Sequence, residues 1–93
     1  MNFEWDETKA EANLRKHGVS FEEAATAFAD PLSITIEDPD HSDNELRFLL
    51  LGVTHAGRLV VIAHTDRDET VRIINARLAT RHERRNYEQE PGL

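Results

Sequence analysis

The chain has no cysteine at all. That excludes a disulfide framework, a thiolate nucleophile and thiolate metal ligation, and it fits a reducing, cytoplasmic setting. Long apolar runs are missing too. The first residues, MNFEWDETK, are acidic and amphiphilic, and no stretch reaches signal-peptide or membrane-spanning length, so neither export nor membrane residence is expected. No glycine-rich phosphate loop follows a strand and no G-x-S-x-G occurs, which removes P-loop and nucleophile-elbow chemistry. No two histidines stand three or four residues apart, and the polar segment 38–44 lacks the glycine and closing glutamate of a calcium loop. We therefore expect a solvated loop there, with no metal site and no cofactor. Aromatics are few. Phe3, Trp5, Phe21, Phe28 and Phe48 fall on apolar faces of expected elements, which assigns them to a core rather than to a base-stacking platform. Tyr87 stands apart, at the end of an arginine run, where it could stack on a base, bond a phosphate or pack a helix end.

What the chain does have is charge, distributed unevenly. Its 93 residues are enough for one small core, so a single domain over residues 1–90 is expected, with a tail at 91–93. The formal net charge of −7 argues against nucleic acid when taken as an average. Residues 1–57 hold 4 basic and 12 acidic side chains, a net of −8, whereas residues 58–93 hold 7 and 6, a net of +1. From Arg72 to Tyr87 five arginines accompany one acid, Glu83. A local anion site on an acidic body is the candidate that follows.

The periodicities give an α+β chain. Residues 2–5 alternate as a short strand, and Asp6 is placed to cap a helix over 6–17 that ends at Gly18. Ser20 and Glu23 have capping-box spacing, Val19 and Ala24 suit a hydrophobic staple, and Phe21, Ala24, Ala25 and Phe28 form the apolar face of a second helix ending before Pro31. From Ser33 the period becomes alternating. Segments 46–53 and 59–63 are apolar on both faces and read as central antiparallel strands joined by a hairpin over 54–58. A turn at 66–69, a strand at 70–74 and a helix from Asn75 to about Glu88 complete the order, which condenses to β-α-α-β-β-β-α: a twisted, mainly antiparallel sheet with helices packed on it.

Within that frame Arg72 alternates with Val71 and Ile73, and Arg77, Arg81, Arg84 and Arg85 fall at i, i+4, i+7 and i+8 of the expected last helix. Guanidinium forks bind phosphate and can support the charge of a pentacovalent phosphorus. Spacing alone favours the plainer reading, a solvated face or a dock for an acidic partner. Asp66-Arg67 follows His64 at a strand end, and Lys16-His17 closes the first helix. These groups can transfer protons or hold an anion, although a cation at a helix end and an imidazole at a core edge are also ordinary structural features.

The motifs Phe3–Asp6 (FEWD), Lys16–Ala24 (KHGVSFEEA), Phe28–Pro31 (FADP), Thr65–Arg67 (TDR) and Arg72–Tyr87 (RIINARLATRHERRNY) occur in an order that resembles the BrnT family of bacterial type II toxins. The resemblance spans nearly the whole chain. It implies a RelE-like fold, endoribonuclease activity that arrests translation, and neutralisation by a BrnA antitoxin whose ribbon-helix-helix domain binds the operator. It implies Lys16, His17, Asp66, Arg67 and Arg77 as catalytic residues and Arg72, Arg81 and Tyr87 as RNA contacts. The chain departs from the family pattern at His64, where an aromatic is common, at Asp66, where Glu is usual, and at Asn75, where Ser is usual. Two other functions remain open: a related toxin that poisons a gyrase-type target without cutting RNA, and a module that only binds a partner.

Overall fold

The structure, a computed structural model, describes residues 1–40 and 45–89. The expected tail at 91–93 and residues 41–44 of the polar loop lie outside the described residues. Strand β1 (Asn2–Glu4) leads into helices α1 (Glu7–His17) and α2 (Phe21–Thr26), and a 3-10 turn (Ala27–Ala29) precedes strands β2 (Ile34–Glu37), β3 (Phe48–Val53), β4 (Leu59–Arg67) and β5 (Thr70–Leu78) and helix α3 (Arg81–Glu88). All five strands fall on segments expected to be strands, one more than the condensed order β-α-α-β-β-β-α counts. The sheet runs β1-β5-β4-β3-β2, with β1 parallel to β5 and every other pair antiparallel.

Local chemistry explains the helix ends. Asp6 Oδ1 accepts from Lys9 N at 3.0 Å, and Gly18, at φ 71, sends its N–H back to Leu14 O at 2.9 Å. This left-handed position is one that glycine takes without strain. Ser20 Oγ accepts from Glu23 N at 2.9 Å, as the spacing predicts, but the carboxylate of Glu23 does not close a capping box. It holds Arg58 and Thr54 instead, which ties α2 to the β3–β4 hairpin.

Strand β4 is buried on both faces from Leu59 to Thr65, as its central place demands. Between the sheet and α1 and α2 lie Ala10, Val19, Phe21, Ala24, Ala27, Leu50, Val60, Ile62, Val71, Ile73 and Ala76. Phe3, Trp5 and Phe28 pack against this cluster and bear out their assignment to the core. Gly52 lets the 3-10 turn lie directly on β3, because a Cβ there would approach Ala27 O to 3.1 Å. The opposite face of the sheet carries Leu49, Leu51 and Val61, with α3 at its edge.

The last third of the chain corrects the sequence reading. Asn75 caps no helix: β5 continues through it to Leu78, and α3 starts six residues later under a full capping box made by Thr80 and Glu83. Tertiary pairing with β4 prevails over the local cap signal, since the partners of residues 75–78 are the apolar residues of a buried strand. Arg77 is therefore a strand residue and does not share a stripe with Arg81, Arg84 and Arg85.

Candidate functional site

The pairing of β4 with β5 contains one irregularity. Ala63 lies opposite Asn75 and His64 opposite Ile73, which leaves Ile74 as an extra residue. Side chains alternate with period two, so Arg72 and Arg77, five apart, would point to opposite faces of a regular strand. The bulge resets the alternation: Val71, Ile73 and Ala76 all enter the core, and Arg72 and Arg77 both face away from it.

Beyond Arg72, strand β1 has ended, and the free edge of β5 is approached by α1. Asn13, only 6% exposed, closes that edge. Its Nδ2 donates to Ala76 O at 2.8 Å and to Val19 O at 3.0 Å, and its Oδ1 accepts from Ala76 N at 3.1 Å. An open cavity of about 450 Å³ results, lined by Lys9, Lys16, His17, Asn75 and Arg77 among others. Three cations and an imidazole thus share one space. Lys16 and His17 lie in the last turn of α1.

Arg77, 37% exposed, is not bare. Glu83, 26% exposed, receives its Nη1 at 2.8 Å and its Nη2 at 2.9 Å, and also accepts from Thr80 N. The Arg77 guanidinium and the backbone N–H of Thr80 hold the Glu83 carboxyl down at about 2, against the opposing effect of burial. A carboxylate in a guanidinium fork occupies the place that two oxygens of a phosphate would take.

The other expected residues lie elsewhere. Arg67 is six residues further along β4 than Val61, the partner of Arg77, a separation of roughly 20 Å. Its Nε donates to Glu45 at 2.8 Å, and Arg72 donates to Glu4 at 3.2 Å. Asp66 Oδ1 contacts Nδ1 of His64 at 2.8 Å; that imidazole is 3% exposed and lies between Phe28 and Phe48. Its Nε2 has no hydrogen-bond partner among the described residues. Arg81 is exposed on α3. The Tyr87 hydroxyl donates to Asp30 Oδ2 at 2.6 Å, and burial together with the Asp30 carboxylate pushes it up to about 12. This bond anchors α3 beside the start of β2. The structure thus gathers Lys16, His17 and Arg77, sets Arg67 and Arg72 at the opposite end of the face, and turns Asp66, opposite Val71, to the other side of the sheet.

Asn13 and Glu83 were missed by the sequence reading. Glu83 had a signal in Thr80-x-x-Glu83, a capping box masked by the expectation of a helix already under way. Asn13 offered none, because a polar residue mid-helix reads as solvated until the strand edge opposite it is known. Among the described residues no three His, Asp or Glu side chains are grouped as metal ligands. No helix of the described chain is long and apolar enough to cross a membrane.

The fold defines a small α+β protein with a cationic cavity where a helix end meets a bulged strand. The family described as ribonuclease toxin BrnT of type II toxin–antitoxin systems matches residues 5–83, and the chain belongs to that family. Membership implies an RNA target and a protein antitoxin. The crystal structure of the Brucella abortus ribonuclease toxin BrnT is similar in fold, with a TM-score of 0.64 and 21% identity over 87% of this chain and 99% of that one. No curated protein matches the chain.

Proposed function

We propose that the chain is an endoribonuclease toxin that cleaves RNA without a metal ion, arrests translation in the cytoplasm and is neutralised by a BrnA-type ribbon-helix-helix antitoxin, through which alone it reaches operator DNA. The observation that carries this reading is the meeting of Lys16, His17 and Arg77 on one open cavity. The ribose 2′-hydroxyl attacks the adjacent phosphorus and loses its proton to His17 or Lys16. The bond to the 5′-oxygen of the next nucleotide breaks, and that oxygen takes up a proton from the other of these two groups, leaving a 2′,3′-cyclic phosphate and a 5′-hydroxyl. Arg77 holds the non-bridging oxygens as their charge grows, which requires its fork to be shared with or released by Glu83. Arg72, Arg67 and exposed Arg81 extend positive charge towards the flanking phosphates.

Purified protein incubated with RNA in excess EDTA tests this directly. Fragments with 5′-hydroxyl ends are expected, and they should be lost on Arg77→Ala. Cleavage that stops in EDTA and returns with a divalent ion would overturn the metal-free mechanism. The ion pairing of Arg67, Arg72 and Arg77 favours a second reading, in which these arginines serve the fold and a docked partner. Harmless expression with no RNA cleavage would select it.

A further inference from the structure

We infer that Asn13 is a positioning residue for the reaction, one that sets the catalytic end of α1 against β5; this rests on the nuclease reading above. Its carboxamide makes to Ala76 the donor and acceptor pair that a neighbouring strand's peptide would make, and its second N–H bond reaches Val19 O just past the Gly18 turn. One buried side chain therefore joins the body of α1, the chain leaving α1 and the residue that precedes Arg77. Lys16 and His17 are three and four residues beyond Asn13 and share its side of the helix. Sliding or rotating α1 would move them relative to the cavity, and the bonds that oppose this are charge-free, directional and buried. Arg77 has a separate anchor in Glu83. What Asn13 governs is the Lys16-His17 arm alone.

The inference separates placement from folding through kinetics. For Asn13→Leu, with rates on an RNA oligonucleotide normalised to the folded fraction from urea melts, kcat is expected to fall about 100-fold, since displacing a reacting group by an ångström has that scale of effect. KM should stay within about threefold, because Arg77 and the outer arginines still hold RNA. In a Lys16→Ala/His17→Ala background the same substitution should cost less than about fivefold, because the groups it places are gone. If Asn13→Leu does not fold, Asn13→Asp serves: it keeps an acceptor for Ala76 N–H and turns a carboxylate onto Val19 O and Ala76 O. A folded variant that cleaves within about fivefold of wild type would overturn the inference, as would effects that multiply in the combined variant. The wild-type arm distinguishes the two readings. Failure of wild type to cleave removes the nuclease reading and this role with it, whereas cleavage retained in folded Asn13 variants removes only the role of Asn13.

Discussion

The two ends of the β4–β5 face that bears the arginines are built from the same residue types and differ in what surrounds them. At one end Arg77 stands beside Lys16 and His17 on a cavity of about 450 Å³ and pairs with Glu83. At the other, Arg67 and Arg72 each contact a surface carboxylate, and the Arg67–Glu45 pair is 63% and 41% exposed. Water screens the Arg67–Glu45 pair the most. The first end gathers Lys9, Lys16 and His17 around Arg77, so several donors lie within reach of one bound anion. Identical guanidinium groups have different surroundings because a helix end reaches one of them and not the others.

The strongest way to break this contrast is to delete the two arginines separately. Arg77→Ala is expected to lower kcat/KM for RNA cleavage by about 100-fold or more, the scale of removing one donor from a developing oxyanion. Arg67→Ala should lower it by less than about fivefold, through weaker RNA binding alone. Initial rates for the two variants decide between the ends, and equal losses would show that the ends act together.

This division was only partly legible in the sequence. The α+β order, the Asp6 and Ser20 caps and the burial of β4 follow from local signals, which is why they were readable. The arginine stripe did not survive, because Arg77 lies in a strand whose length is set by pairing with β4. No sequence rule announced the bulge at Ile74, yet the bulge puts Arg72 and Arg77 on one face. Family resemblance supplied Lys16 and His17, and α1 does bring them to Arg77. Resemblance also grouped Asp66 and Arg67 with them, and the length of β4 keeps these apart.

Acid should weaken the Arg77 end in a defined window. The folded-state pKa of Glu83, about 2, lies below its ordinary 4.5, so its contribution is complete above pH 4.5 and is lost as pH falls towards 2. Solvent screening at the half-exposed Arg77 holds that contribution to about 1–2 kcal/mol. Urea unfolding of wild type and Glu83→Gln should differ by this amount at pH 6 and converge as pH approaches 2. Glu23, also held at about 2 by Arg58, adds a parallel loss that both proteins share. A difference independent of pH would mean that Glu83 acts as a helix cap only.

The smallest effect belongs to the outer end and tests whether its ion pairs are structural or electrostatic. Glu45 and Arg67 are solvent-exposed partners, and such pairs add little to stability. Glu45→Gln should leave the urea midpoint nearly unchanged while removing a negative charge beside Arg67. If Arg67 guides RNA, freeing it should tighten RNA binding at low salt and steepen the dependence of log Kd on log salt by up to about one. Fluorescence anisotropy with a labelled RNA across a salt series reads both. An unchanged slope in Glu45→Gln, together with an unchanged slope in Arg67→Ala, would confine RNA contact to the α1–Arg77 end and make the contrast between the two ends complete.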